Sequence, residues 1–270
     1  MAAGMYGNAV FAADVDMKTD LPAVSGINGK IEGSVGFADM KNIKSDTEFR
    51  GGAALSIPVG DMFGLQADLS VVDVFHDTAV AGTLHFFTRD PNSYLLGAIG
   101  GYGDVGHTHV WYGGPEVELY LNNISIEAVG GFMNVDFGGS HKNKAFAIAD
   151  LGYYATDNFR LTAGVSSIAG FDSGRLGAEW LFSDIGLPAS LTVDGRLGEH
   201  GFATLTAGFN IYFGGDTSKS LIRRHREDDP PIRSKDIFGA AGDAFEEPAA
   251  PVHECPINEE WNGQTCVSPG

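Results

Sequence analysis

Two sets of side chains could do chemistry. The first is imidazole with carboxylate. His76, His107, His109, His141 and His200 have Asp73, Asp77, Asp104, Asp136 and Glu199 close in sequence. Such donors suit zinc, copper or nickel. Only His107-x-His109 is tightly spaced, and it matches no established metal motif. The plainer reading is polar residues on wet loops. The second set is ionic: Lys30, Glu32, Glu48, Arg50, Asp68, Glu116, Glu118, Glu127, Asp150, Arg160, Arg175, Glu179, Asp194 and Arg196. Gathered in one narrow space, these residues either pair with one another and serve structure, or leave acids in excess as a cation-preferring constriction. Nucleophilic chemistry has little support. Gly164-Val165-Ser166-Ser167-Ile168 lacks the final glycine of a nucleophile elbow. Ser140 and His141 are chain neighbours, and neighbours on a strand face opposite ways. No phosphate loop or metalloprotease motif is present. No catalytic residue and no cofactor is expected.

The elements that position the ionic set have a period of two. Leu65, Ala67, Leu69 and Val71 alternate with Gln66, Asp68, Ser70 and Val72. Phe159, Leu161, Ala163 and Val165 alternate with Arg160, Thr162, Gly164 and Ser166. The pattern continues through Leu176–Trp180 and Leu191–Leu197 to Leu205, Ala207, Phe209, Ile211 and Phe213. Successive strand side chains point to opposite faces, so each segment has one apolar face and one polar face. Turn signals separate the segments: Pro58-Val59-Gly60-Asp61, Arg89-Asp90-Pro91-Asn92, Asn122-Asn123, Thr156-Asp157-Asn158 and Ser183-Asp184-Ile185-Gly186. Between these lie links that read as longer, over 39–47, 73–78, 104–108, 137–144, 169–174 and 198–201. About twelve strands over Ile27 to Phe213 are expected, joined as an antiparallel meander.

Composition narrows the class. The chain carries 17 Lys+Arg against 35 Asp+Glu, a net charge of -18, which excludes the basic footprint that nucleic acid requires. Thirty-eight glycines in 270 residues disfavour helices. No apolar run is long enough for a spanning helix. The remaining choice is which face looks inward. A barrel of about twelve strands has a lumen too wide for its own aliphatic side chains, so an apolar interior would be a void. Aromatics also gather near strand ends: Phe37, Phe49, Phe63, Phe86, Tyr94, Tyr102, Trp111, Tyr120, Phe132, Tyr153, Tyr154, Phe159, Trp180, Phe202 and Phe213. Those are the places of interfacial girdles. The expectation is an all-β, antiparallel up-and-down transmembrane β-barrel, apolar face toward lipid and ionic face toward the lumen.

Leu205-x-Ala207-x-Phe209-x-Ile211-Tyr212-Phe213 resembles the closing strand of Gram-negative outer-membrane β-barrels, which ends in Phe after alternating apolar residues. The wider resemblance, to the porin-like family, covers Ile27 to Phe213 by pattern rather than by residue identity. It implies an outer-membrane location, outer-membrane lipid around the barrel, and reading of the closing strand by the barrel assembly machinery. It departs from the usual form because the chain continues from Phe213 to Gly270. It implies no particular solute.

The flanks carry further expectations. Residues 1–12, ending Ala9-Val10-Phe11-Ala12, read as the remnant of a signal peptide, and 13–26 as a periplasmic segment. An even strand number puts both barrel ends in the periplasm, with tight turns there and longer links outside. The tail from 214 to 270 opens with Arg223-Arg224-His225-Arg226 and becomes Ala/Pro/Glu-rich. It reads as a mostly disordered periplasmic tail, with its basic run solvated or touching the barrel's acidic rim, lipid head groups, peptidoglycan or a periplasmic protein. Cys255 and Cys266 would pair in an oxidising periplasm, with Asn262-Gly263 in the turn of a small disulfide loop. The function expected is a passive, mildly cation-favouring channel for small solutes, or an envelope structural protein. The rivals are a surface-binding barrel, for adhesion or metal capture through its external histidines, and an outer-membrane lipid hydrolase.

Overall fold

The computed structural model describes residues 21–41, 43–75, 77–182, 188–228, 230–245, 260–261 and 266–267. Twelve strands close into one antiparallel barrel in which each strand pairs with its neighbours in sequence. They are β1 (Asn28–Met40), β2 (Ile43–Val59), β3 (Phe63–Val74), β4 (Asp77–Asp90), β5 (Tyr94–Val105), β6 (Thr108–Leu121), β7 (Ile124–Asp136), β8 (His141–Thr156), β9 (Phe159–Ile168), β10 (Phe171–Phe182), β11 (Ala189–Gly198) and β12 (Ala203–Gly214). Closure runs from Asn28↔Gly214 to Asp39↔Ala203, so the strand with the Phe213 signal seals the barrel against β1. The strands have 10 to 17 residues, enough to cross a bilayer at a tilt.

The exterior is the apolar face. Leu69, Leu84, Phe132, Val165, Leu176, Leu197 and Leu205 are all more than half exposed. Water would not tolerate an apolar band of this extent, whereas lipid requires it. Two aromatic belts ring it. Phe37, Phe49, Trp111 and Phe132 lie toward one end; Phe63, Phe86, Tyr94, Tyr153, Trp180 and Phe213 lie toward the other. The chain is thus an outer-membrane-type β-barrel. Three of the expected girdle residues belong elsewhere. Tyr120 and Tyr154 are buried and face inward, because their strand parity places them on the polar side, and Phe202, in the connection before β12, is buried against Met40 and Phe171.

The links differ from expectation. Strand pairing runs almost to the tips at both ends: β5 and β6 are joined by 106–107, and β9 and β10 by 169–170. The longest interval, 183–188, lies at the end that also carries Asn28 and Gly214, where tight turns were expected. Backbone pairing satisfies the polar main chain more completely than an open loop, so Gly-, Asp- and His-rich sequence is drawn into the ladders. The end bearing Asn28, Gly214 and the 60–62, 91–93, 122–123 and 157–158 connections is termed the terminus end, and the opposite one the hairpin end.

The largest correction concerns the tail. Its described residues are not disordered between 214 and 245. Gly214 and Gly215 both take positive φ (74° and 62°). A Cβ at Gly214 would lie 2.4 Å from the Ile27 carbonyl oxygen. This pair lets the chain reverse from β12 and turn back into the barrel. Two short helices follow, α1 (Leu221–Glu227) and α2 (Arg233–Gly239), with Leu221, Arg224, Arg233, Ser234, Asp236, Ile237 and Phe238 buried. Seven-residue helices are not stable alone; packing inside the barrel holds them. Beyond 245, two short strands, β13 (Glu260–Trp261) and β14 (Cys266–Val267), pair with Trp261 opposite Cys266. The Cys255–Cys266 pairing, the 262–265 turn and the expected signal remnant lie outside the described residues. Of the segment 13–26, residues 21–26 are described. Ala23 donates to the Asp61 carbonyl, and Val24 packs with Phe87, Leu95 and Tyr120 at the terminus-end mouth.

Candidate functional site in the barrel lumen

Every residue expected on the ionic face points into the lumen. Register then sorts them in a way that spacing alone does not reveal. Glu118 on β6 stands opposite Glu127 on β7, and Glu127 stands opposite Asp150 on β8. Three acids thus form a row across adjacent strands, which is unfavourable unless cations face it. The cations come partly from the wall and partly from the tail. The Arg160 Nη2 lies 2.5 Å from a Glu127 carboxylate oxygen. Arg233, from α2, is fully buried, with Nη1 3.8 Å from Asp150 and 3.7 Å from Asp236.

Asp236 is the second hub. It accepts from Arg175 Nη1 at 3.0 Å and from Arg196 Nη2 at 3.1 Å, side chains of two neighbouring strands. Asp194 accepts from Arg196 Nε at 3.0 Å and forms an ion pair with Arg175, whose Nε lies 3.2 Å away. Arg50 completes the patch, donating from Nε to Glu48 at 2.7 Å and from Nη2 to the Gly239 carbonyl at 3.3 Å. Lys235 Nζ meets Glu32 at 2.5 Å.

Across the lumen, Asp68 receives the tail. Its Oδ2 accepts the backbone N–H of Arg233 at 3.0 Å, occupying one of the donors a helix start leaves free. The same carboxylate accepts from Gln66 at 2.8 Å and faces His85 Nε2 at 3.0 Å. His85 Nδ1 in turn faces Glu116 at 3.0 Å. A ring between two carboxylates is satisfied by the doubly protonated form, which donates from both nitrogens. Lys30 Nζ and Gln66 Nε2 both donate to the Pro230 carbonyl, at 3.3 and 3.2 Å.

α1 fills the terminus-end mouth. The turn between β8 and β9 caps it: Leu221 N–H donates to Asn158 Oδ1 at 3.1 Å and Ile222 N–H to the Asp157 carbonyl at 3.1 Å. His225 Nδ1 is 2.9 Å from the Tyr154 hydroxyl. Arg226 lies over the Tyr120 ring at 5.0 Å and donates to the Ile124 carbonyl at 2.9 Å. Of the run Arg223-Arg224-His225-Arg226, expected as a solvated tract or a contact with the barrel's rim, the last three residues lie between tail and wall, while Arg223 pairs with Glu227 of its own helix. Lys219 Nζ closes the mouth against Asp228 at 2.5 Å and Glu227 at 3.2 Å. Burial pushes the Glu227 carboxyl up, but the Arg223 hydrogen bond and the nearby Lys219 charge outweigh it, and the group is held below its ordinary value.

Toward the hairpin end the lumen changes character. Ile99, Val110, Val129, Met133, Val135, Phe146, Ile148 and Ile168 face inward and are buried. The void expected for an apolar interior does not arise, because Ile237, Phe238, Ala240, Ala241 and Phe245 of the tail fill it. Phe238 meets Tyr112 edge-on at 6.1 Å and Phe245 at 5.3 Å. Gly103 makes room: a Cβ there would lie 2.4 Å from the Phe238 ring. Beside the tail a polar cavity of about 130 Å³ remains, lined by Lys30, Glu32, Glu179, Asp194 and Asn210 among others. It has room for waters, but it is not an open bore.

The external histidines do not converge. His109 contacts Asp104, His141 lies 3.6 Å from Asp136, and His200 lies 2.7 Å from Asp243. His107 sits in the separate β5–β6 connection, and His76 lies outside the described residues. Among the described residues no group of three His, Cys, Asp or Glu side chains is placed to hold a metal ion. Sequence reasoning missed His85, Arg89 and the whole contribution of the tail. The inward parity of β4, with Thr83, His85, Phe87 and Arg89 on one face, was the available signal for the first two. For the tail it was the apolar residues Leu221, Ile232, Ile237, Phe238 and Phe245 set among charges.

No protein-family model matches the sequence, and no curated protein matches it significantly. Solved structures similar in fold include a KdgM porin in complex with disordered oligogalacturonate, at 7% identity and TM-score 0.48 over 68% of this chain and 99% of that one. The translocator domain of autotransporter NalP from Neisseria meningitidis is similar at 11% identity and TM-score 0.46, over 70% and 88%. The Acinetobacter baumannii outer membrane protein Omp33 is similar at 10% identity and TM-score 0.44, over 69% and 98%. The likeness is one of barrel architecture.

Proposed function

We propose that the protein is a porin-like outer-membrane channel whose lumen is closed by its own C-terminal segment, and that small solutes pass when this segment leaves. The observation that carries this reading is the Glu118–Glu127–Asp150 row with Arg233 lodged against it. With the segment seated, the acids are neutralised and the bore is filled. With it withdrawn, the wall has more acids than bases around a wide lumen, and such a ring prefers cations. Metal capture at the outer histidines gains no support, because they stand on separate connections. Ester hydrolysis likewise gains no support, because among the described residues no serine hydroxyl is hydrogen-bonded to a histidine.

The test is conductance in planar bilayers. The full chain is expected to be silent or to open rarely. A chain ending at Gly214 is expected to give frequent steps with cation selectivity. A truncated barrel that folds, shown by its heat-modifiable mobility on gels, yet passes no current would overturn the channel reading. Anion selectivity would overturn the role given to the acid row.

A further inference from the structure

The tail does more than occupy the lumen. Its contacts move steadily from one end of the barrel to the other. Leu221 and Ile222 are held by the β8–β9 turn at the terminus end. Asp228 and Pro230 carbonyls take donors from Arg89, and from Lys30 and Gln66. Arg233 and Asp236 sit at mid-depth, against Asp68 and against Arg175 and Arg196. Asp243 then pairs with His200, in the β11–β12 connection of the hairpin end, at 2.7 Å. Finally the Phe245 carbonyl accepts from Thr108, the first residue of β6 at that same end, at 3.1 Å. The chain therefore runs through the barrel from mouth to mouth. Two helices of ~10 Å each plus extended links at ~3.3 Å per residue are long enough for that path.

From this we infer that the barrel is a conduit for its own C-terminus: it delivers residues 246–270 to the hairpin-end face, opposite to the face where β12 ends. In an outer membrane where Asn28 and Gly214 face the periplasm, that face is the cell surface, and the β13–β14 pair is displayed there. Charge gives a second, independent reason. Residues 219–235 carry Lys219, Arg223, Arg224, Arg226, Arg233 and Lys235 against Glu227, Asp228 and Asp229, a net basic stretch suited to an acidic lumen. From Ile237 to Gly270 there is no Lys or Arg, while Asp243, Glu246, Glu247, Glu254, Glu259 and Glu260 are acidic. An acidic wall retains the first stretch and repels the second. The inference needs the occupied lumen but not the channel activity, and bilayer currents do not bear on it.

Its test is the side from which the C-terminus is reached. Single cysteines are placed at Ser268, at Ser140 in the hairpin-end β7–β8 connection, and at Asp61 in the terminus-end β2–β3 connection, all in a Cys255→Ser, Cys266→Ser background. Intact cells are treated with a membrane-impermeant maleimide, before and after permeabilisation. Ser268→Cys is expected to label like Ser140→Cys in intact cells, with Asp61→Cys labelled only after permeabilisation. If Ser268→Cys instead follows Asp61→Cys, the tail does not emerge at the hairpin end and the inference fails. Adding Asp236→Arg should cost Ser268→Cys its surface label while Ser140→Cys keeps its own. Unchanged labelling of both would show that the C-terminus reaches the surface by a route other than the lumen, and would overturn the conduit.

Discussion

Where Arg233 and Asp236 of α2 meet the wall at mid-depth, charge holds the helix; where Ile237 and Phe238 meet it toward the hairpin end, shape does. On the first side Asp236 lies between Arg175, Arg196 and Arg233 with little water. On the second, Ile237 and Phe238 pack into a wall of Val, Ile, Met and Phe. The two sides give different kinds of restraint. Buried ion pairs add little net stability over an apolar pair but are costly to break singly, so they specify register. Apolar packing supplies free energy in proportion to the area removed from water and tolerates small shifts. A segment that must stay seated and also sit in one place is served by having one of each.

The strongest way to break this contrast is charge reversal at the ionic side. Asp236→Arg sets a fourth guanidinium beside Arg175, Arg196 and Arg233, and merely removing one partner of a buried pair costs ~3–5 kcal/mol. The expected outcome is release of the segment, seen as rapid tryptic cleavage between Arg223 and Lys235 in detergent-purified protein that resists trypsin when wild type. Persisting resistance would mean that the apolar side alone holds the tail. Phe238→Ala removes the main apolar anchor, at ~3–5 kcal/mol for a buried aromatic. It should raise amide exchange over 237–241 and give brief bilayer openings, with the cleavage rate below that of Asp236→Arg. Equal or faster cleavage would reverse the ranking of the two sides. Ile237→Val trims one methylene and should cost ~1 kcal/mol, visible only as slightly faster exchange in α2.

The smallest effect concerns the mouth and is one of pH. Arg223 and Lys219 hold Glu227 below its ordinary 4.5, against the upward push of burial. A carboxyl depressed in the folded state contributes stability that is present above its unfolded value and is lost as pH falls through the folded value. Exchange of the α1 amides should therefore rise relative to the barrel as pH drops below about 4.5. Glu227→Gln should remove this pH dependence and leave α2 protected. If α2 loosens with α1, the mouth and the lumen seat are one cooperative unit.

The wall was legible in the sequence for a local reason. The parity of Leu205, Ala207 and Phe209 against Thr204, Thr206 and Asn210 carries over into pairing with β1, because side chains alternate whatever the partner strand is. The acid row was legible only as a list of acids. That Glu118, Glu127 and Asp150 stand side by side depends on register between strands, which no single segment encodes. The histidines misled for a related reason: proximity in sequence placed His109 beside Asp104 and His141 beside Asp136, and the tail's Asp243 met His200, so none of the three met another histidine.

The residue pattern alone determined that the chain forms a lipid-facing barrel and which side chains line its bore: the two-residue period, a property of each strand alone, sorts the side chains onto two faces, and the width of a twelve-strand lumen and the aromatics near strand ends set the apolar face toward lipid. It did not determine what fills the bore. Charge density and proline content made 214–245 read as solvated, and free in water such a stretch could not bury enough surface to order itself. Inside the barrel the wall supplies the missing partners. Arg233 finds Asp150, Asp236 finds two arginines, and Phe238 finds the slot at Gly103. That pairing exists only once twelve strands have closed around it, so it belongs to the tertiary structure.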